Sequence, residues 1–148
     1  MLANDLSASL LAVCVADVSA RQELDLYLAP AACGFPSPAD DFIECKLDLN
    51  EYLIRHPAAT FYVRASGDSM RQAGIHSGDL LIVDRAVEPT PGRVVIAVVD
   101  GDFTVKRLKR IDGNLCLAPD NDAYPPVPLG DGEGVTIWGV VTAVVHQP

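Results

Sequence analysis

The pattern of apolar and polar residues changes near residue 60. From there on, short runs rich in β-branched and aromatic residues alternate with turns built from Gly, Asp, Asn and Pro, which is typical of a β protein. The predicted strands cover residues 60–65, 80–83, 93–99, 103–109, 115–117 and 135–145. The last run is almost continuously apolar, as expected for a strand covered on both faces or lying at a subunit contact. The chain is therefore predicted to be mainly β.

Asp100-Gly101 lies between two of these predicted strands and is a strong hairpin signal. The runs 94–99 and 103–108 should pair as antiparallel neighbours, which places Lys106 inside a sheet. Alternation sets Lys106 on the same face as Leu108. Both faces of this strand are mixed in polarity, so the pattern does not decide whether Lys106 is buried.

The residues before position 60 carry weaker patterns. Residues 48–55 predict one short helix, because Asp48 can cap its first turn and Pro57 stops it. The preceding arm is predicted to be partly helical over residues 20–28. The two prolines in residues 34–41 predict an extended linker that can enter or leave a groove.

Residues 10–16 form an apolar run that resembles the core of a signal peptide. Asp5 precedes the run where a signal peptide has basic residues, Asp17 follows it, and the run is too short to span a bilayer. No membrane association is expected.

Length and charge narrow the class of function. With 148 residues, of which 49% are hydrophobic, the chain supplies one ordinary core, and a single small domain is expected. The formal net charge of −9 opposes binding to nucleic-acid phosphates. The basic patch at residues 106–110 is more typical of a strand face or edge than of a DNA-reading surface. Direct sequence-specific DNA binding is therefore not expected.

The chain has four cysteines and three histidines. The cysteines are Cys14, Cys33, Cys45 and Cys116, and the histidines are His56, His76 and His146. The cysteines lack C-x-x-C spacing and a nearby histidine pair, so we expect reduced thiols in a cytoplasmic protein, with no metal and no cofactor. The histidines are scattered. Any one of them could act as a base with Asp84 or Asp100, although no spacing favours such a triad.

Ser69 and Lys106 are the candidate nucleophile and base. Ser69 follows a Gly-Asp turn after the strand 60–65, where a turn can aim its hydroxyl outward and leave N–H groups beside it. Lys106 lies among strand formers, and desolvation in a partly apolar sheet lowers the pKa of an ammonium group. A serine with a neutral lysine is a working nucleophile and base. Each residue alone is more commonly part of a solvated turn or a surface strand.

A third segment, residues 31–38, joins small side chains to a proline-marked extended stretch, as a protease cleft can accept. Three further motifs follow in order: Ser66-Gly67-Asp68-Ser69-Met70, Ser77-Gly78-Asp79-Leu80-Leu81-Ile82-Val83-Asp84 and Phe103-Thr104-Val105-Lys106. Together these segments resemble the LexA-like self-cleaving serine peptidases of the S24 type, in their SOS mutagenesis branch. The match extends from about residue 33 to about residue 145.

The resemblance implies that Ser69 is the nucleophile and Lys106 the general base. It implies that the bond between Cys33 and Gly34 is cut, and that the N–H groups of Asp68 and Ser69 form the oxyanion hole.

The resemblance also implies an architecture and a set of partners. The fold would be the β-clip-type twisted sheet assembly of LexA and the signal peptidases. An N-terminal arm of residues 1–33 would be removed, leaving a peptidase and dimerisation domain of residues 34–148. Cleavage would be stimulated by a RecA filament on single-stranded DNA. The trimmed homodimer would then serve a Y-family DNA polymerase subunit of the UmuC type in error-prone translesion synthesis.

Three other functions stay open. A LexA-like or phage-repressor-like regulator would carry a DNA-binding helix-turn-helix domain before the cut, and the 33 residues before Gly34 are too few and too acidic for one. A peptidase of the signal-peptidase type should have a membrane anchor. A noncatalytic protein-binding module of the same fold would show no cleavage on incubation at alkaline pH.

Overall fold

The structure, a computed structural model, describes residues 13–15, 18–27, 43–129 and 134–148. Within these residues, eight strands form one antiparallel sheet in the order β1-β4-β5-β10-β6-β7-β8-β9, and β2 pairs separately with β3. The strands are β1 (Val13–Val15), β2 (Glu23–Tyr27), β3 (Ile43–Asp48), β4 (Thr60–Arg64), β5 (Leu80–Asp84), β6 (Val94–Val99), β7 (Asp102–Ile111), β8 (Asn114–Ala118), β9 (Val127–Pro128) and β10 (Val135–Val145). The mainly β fold predicted from the sequence is confirmed.

The core lies on both faces of the central strands. On β6, Val95 and Ile96 are each at most 1% exposed, yet they belong to different hydrophobic clusters. Successive side chains of a strand point to opposite faces, so both faces of β6 are covered. The first cluster contains Val63, Ala65, Met70, Ile75, Leu81, Val83 and Ile96, and the second contains Val95, Ala97, Leu108, Leu117 and Val140. Continuous apolar runs such as β6 are the sequence signature of such doubly covered strands.

β6 and β7 form the hairpin predicted from Asp100-Gly101. Both turn residues have positive φ, 50° and 86°, as a type I′ turn requires. The register pairs Val99 with Asp102 and Val95 with Lys106. Lys106 thus sits directly across from a fully buried residue, in a strand that has neighbours on both edges.

The predicted short helix is present as α1 (Leu49–Leu53). The Asp48 carboxylate accepts hydrogen bonds from the N–H groups of Asn50, at 2.9 Å, and Glu51, at 3.3 Å, so it caps the first turn as predicted. It also accepts from Gln22 N–H at 2.7 Å, which ties the arm to the helix. Among the described residues, no helix is both long and apolar enough to cross a membrane.

The helix predicted over residues 20–28 is wrong, because Glu23–Tyr27 is a strand. Leu24 and Leu26 alternate with polar residues at the two-residue period of a strand, and their partners on β3 are Leu47 and Cys45. Over so short a segment, this alternation is a stronger signal than helix propensity. β1 likewise pairs with β4, so two parts of the arm are bonded to the body. The linker at residues 34–41 lies outside the described residues.

Residues 119–133 form a segment rich in proline, glycine and acidic residues, and its described part is mostly irregular. It includes the two-residue strand β9, which pairs with β8. Residues 130–133 lie outside the described part. The beginning of this loop, residues 120–124, reaches the turn that carries Ser69.

Candidate active site

Ser69 lies in the turn that follows β4. Gly67 has a φ of +91°, a left-handed conformation that lets the chain turn here, and its N–H donates to the Ser77 hydroxyl at 3.3 Å. Met70, directly after Ser69, is 3% exposed and packs in the first core cluster. Ser69 lies between this buried methionine and the exposed residues 66–68, so it is partly buried at the edge of the core.

The loop after β8 holds this turn from a second side. Asn121 Nδ2 donates to the carbonyl oxygen of Asp68 at 2.9 Å, and the Tyr124 hydroxyl donates to Asp68 Oδ1 at 2.9 Å. The hydrogen bond to Asp68 raises the pKa of Tyr124, because the carboxylate favours the protonated phenol. The residue just before Ser69 is therefore fixed through both its backbone and its side chain.

Lys106 lies near the middle of β7, and its amine reaches the Ser69 hydroxyl. Nζ donates to Ser69 Oγ at 3.2 Å and to the carbonyl oxygen of Val105 at 3.2 Å. The side chain is about half-buried, and this burial lowers the pKa of Lys106, because desolvation disfavours the ammonium form. Among the described residues no carboxylate forms a salt bridge with Lys106 that would oppose the change.

The sequence left the burial of Lys106 open, and the structure decides it. The two residues are 37 positions apart in the chain, so their contact is a product of the sheet order and not of local geometry. A hydroxyl hydrogen-bonded to an amine with a lowered pKa can lose its proton to that amine once the amine is neutral. The arrangement thus has the chemistry of a nucleophile with its general base.

An ion pair next to Lys106 links β7 to the Ser69 turn. Arg107 Nε donates to Asp120 Oδ2 at 2.7 Å, and a second guanidinium nitrogen lies 2.6 Å from the same oxygen. The backbone of Asp120 also binds the segment that follows Ser69. Its N–H donates to Met70 Sδ at 3.4 Å, and its carbonyl accepts from the N–H of Gln72, within the 3₁₀ turn Arg71–Ala73, at 2.8 Å. We call this set of contacts the Arg107–Asp120 strut.

The strut was not predicted from the sequence. Asp120 was not among the candidate residues, and Arg107 was interpreted only as part of a basic patch. The spacing of the two residues does not signal contact, although a partly buried charged side chain in a strand is a reason to look for a partner of opposite charge.

The remaining predictions for the site concern the cleavage bond, the oxyanion hole and a histidine base. The cleavage bond, Cys33–Gly34, lies outside the described residues. The role of the Asp68 and Ser69 N–H groups as an oxyanion hole stays a prediction. His56 Nδ1 lies 2.6 Å from Asp84 Oδ2, so one of the alternative His–Asp pairs does form. In the described part of the chain, however, the side chain bonded to Ser69 Oγ is a lysine.

An antiparallel sheet that brings a serine hydroxyl against a half-buried lysine amine is the arrangement that the resemblance to LexA-like peptidases implies. Comparison with known proteins agrees, since residues 25–142 match the family model described as Peptidase S24-like. The chain therefore belongs to the S24-like peptidase family.

Comparison with individual proteins shows which members of this family the chain resembles. The chain is 52% identical to protein SamA of Salmonella typhimurium over 122 residues, which cover 82% of this chain and 84% of SamA. It is 44% identical to protein MucA of Escherichia coli over 127 residues, covering 84% and 86% respectively. The LexA repressor of Shewanella baltica is 35% identical over 121 residues, but these span only 58% of the repressor. The resemblance to the UmuD-like SOS mutagenesis members of the family is thereby confirmed.

Proposed function

We propose that this protein is a self-cleaving serine peptidase of the SOS response, with Ser69 as nucleophile and Lys106 as general base. The observation that carries the proposal is the 3.2 Å contact between Lys106 Nζ and Ser69 Oγ, formed by an amine whose pKa is lowered by burial. The bond that is cut is Cys33–Gly34. Its products are the arm, residues 1–33, and the trimmed chain, residues 34–148.

The reaction runs in two halves. Neutral Lys106 takes the proton of Ser69 as Oγ attacks the carbonyl carbon of Cys33, and the N–H groups of Asp68 and Ser69 stabilise the resulting oxyanion. The protonated amine then gives its proton to the leaving nitrogen of Gly34, and the Cys33 carbonyl stays as an ester on Ser69. In the second half Lys106 activates a water molecule, which hydrolyses the ester and frees Ser69.

Docking of the cleavage segment controls the base. Lys106 is only about half-buried in the structure, so water still stabilises its charged form. A docked segment would remove more of this water and lower the pKa further, which makes substrate binding and base activation one event. A partner that favours the docked state then accelerates cleavage without supplying any catalytic group.

The wider role is proposed by analogy with the family. In this proposal the partner that favours docking is a RecA filament on single-stranded DNA. The trimmed chain forms a homodimer that serves a Y-family DNA polymerase subunit of the UmuC type in translesion synthesis in the cytoplasm. The net charge of −9 fits a protein that acts through such partners and does not itself read DNA.

The experiment is incubation of the purified full-length chain at alkaline pH, followed by mass spectrometry. The expected products have masses that correspond to residues 1–33 and 34–148. Ser69→Ala and Lys106→Ala should each abolish the cut. Lys109→Ala is the matched control, because Lys109 is an exposed lysine on the same strand, and this variant should be cleaved like the wild type.

Two results would contradict the proposal. Cleavage that persists in Ser69→Ala or Lys106→Ala rules out this pair as the catalytic groups. A wild-type chain that stays intact at alkaline pH and also with RecA, nucleotide and single-stranded DNA would indicate a noncatalytic binding module.

A further inference from the structure

Two histidines and one buried aspartate meet at the end of β10, in a cluster that the peptidase chemistry does not use. His146 Nδ1 lies 2.6 Å from Asp79 Oδ1, and His76 Nδ1 lies 3.7 Å from Asp79 Oδ2. One ligand atom from each of the three residues lies within 4.8 Å of the other two. We propose that His76, Asp79 and His146 bind a divalent transition-metal ion of the zinc type.

The carboxylate at the centre of this cluster is held in place. Asp79 is 4% exposed, and its Oδ2 accepts a hydrogen bond from His76 N–H at 2.8 Å. Its own backbone is bonded on both sides, since Asp79 N–H donates to His76 carbonyl at 3.1 Å and Ala65 N–H donates to Asp79 carbonyl at 2.8 Å. A buried carboxylate fixed in this way is a preorganised ligand, which lowers the cost of ordering the site on binding.

The two histidines can complete the coordination. Zinc holds nitrogen and oxygen ligands at about 2.0–2.2 Å, so two ligands of a tetrahedral ion lie roughly 3.3 Å apart. The distances from the Asp79 carboxylate to His146 Nδ1, 2.6 Å, and to His76 Nδ1, 3.7 Å, lie on either side of this value. The side chains of His76 and His146 are 48% and 45% exposed, so their rings are free to turn toward a shared ion. A cavity of about 360 Å³ beside Asp79 and His146 leaves room for water in the fourth position.

The charge around the cluster also permits a cation. Two neutral imidazoles and one carboxylate would leave a bound divalent ion with one net positive charge, in a protein whose formal charge is −9. Arg64 lines the same cavity, but it is exposed to solvent and its NH1 donates to Gly78 carbonyl at 2.9 Å.

The donor set selects the kind of ion. Imidazole nitrogen suits zinc, cobalt, nickel and copper, whereas magnesium and calcium prefer sites built from oxygen ligands. Zinc should therefore bind at this cluster and magnesium should not.

The chain supplies its own matched control. His56 also places Nδ1 2.6 Å from a buried carboxylate, that of Asp84, and its side chain is 49% exposed. Among the described residues, the His56–Asp84 pair has no third His, Cys, Asp or Glu near enough to form a metal-binding group. Removing His56 thus deletes the same kind of hydrogen-bonded pair without touching the proposed site.

The test measures metal affinity in the full-length chain purified without a polyhistidine tag. Zn²⁺ is titrated in competition with a chromogenic chelator, and Co²⁺ is titrated by its visible absorption. The wild type should bind one ion, and a hundredfold excess of Mg²⁺ should not displace it. His76→Ala and His146→Ala should each weaken binding at least about tenfold, whereas His56→Ala should bind like the wild type.

These variants change half-exposed side chains, and a melting curve recorded without metal checks that each is folded. Equal affinity in the wild type, His76→Ala and His146→Ala would overturn the proposal, because the ion would then be bound elsewhere. An equal loss in His56→Ala would also overturn it. The measurement needs no peptidase activity, so its outcome is independent of the proposed function.

Discussion

The Arg107–Asp120 strut should matter to cleavage although neither residue touches the reacting atoms. The perturbation is Asp120→Ala, which removes the carboxylate oxygen that binds two guanidinium nitrogens, at 2.7 and 2.6 Å. Each hydrogen bond to a charged group contributes about 1.5–3 kcal/mol. The side chain of Arg107 is 29% exposed and keeps its bond to the Gly92 carbonyl, so water and this bond compensate part of the loss.

We therefore expect the free energy of unfolding to fall by about 2–3 kcal/mol. For a chain of this length that corresponds to a decrease of about 8 °C in Tm. The rate of self-cleavage should fall at least about tenfold, because the strut links the strand of Lys106 to the turn of Ser69 and small displacements of reacting groups are costly.

The assay is self-cleavage at alkaline pH, at a temperature well below the melting transition of every variant, so that unfolding does not contribute. Asp122→Ala is the matched control: it is an exposed aspartate of the same loop, bonded to Gln72 Nε2 at 3.1 Å, and its loss should change stability by less than about 0.5 kcal/mol. A positioning role predicts a lower rate at every pH with an unchanged pH profile. If Asp120→Ala cleaves at the wild-type rate while folded, the strut does not align the site.

Three further predictions follow from the structure. The cleavage rate should rise about tenfold per pH unit until Lys106 is neutral, and a rate that is flat from neutral to strongly alkaline pH would contradict its role as the base. Lys106→Met should abolish cleavage yet raise the Tm at neutral pH, because the lowered pKa of Lys106 means that folding disfavours its ammonium form. This gain in Tm should shrink as the pH approaches the ordinary lysine pKa of 10.5, and a gain that is independent of pH would refute the reasoning. Gly139→Ala should lower stability by about 1–3 kcal/mol in a urea titration, because its Cβ would lie 2.6 Å from Val83 Cγ1 in the buried core; a midpoint equal to the wild type would show that β10 can shift at no cost.

Much of the scaffold around the site could be predicted from local patterns. The Asp100-Gly101 turn gave the hairpin and placed Lys106 within a sheet, because both positive-φ positions are specified by two adjacent residues. Asp48 as the cap of α1 is local in the same way. The helix predicted at residues 20–28 was wrong because its partner, β3, lies about twenty residues further along the chain, and pairing with that strand decided the conformation.

The contacts between distant residues could not be predicted in this way. Motif resemblance nominated Ser69 and Lys106 together, but it could not give the burial of the amine or the distance between the two groups. The Arg107–Asp120 strut carried no signal in the spacing of its residues. His76 and His146 are 70 positions apart in the chain, and their spacing predicted no contact. In the structure, however, the centroids of their rings are 4.8 Å apart.

What the sequence determined by itself is six strands from residue 60 onward, the hairpin turn and the residue types available for chemistry, since periodicity and turn preferences act over a few neighbouring residues. What only the tertiary structure decided is which of those residues meet. The order of the strands brings Ser69 to Lys106 and His76 to His146, and strand order depends on burying both faces of the central strands at once, a condition that no short segment of the chain can express.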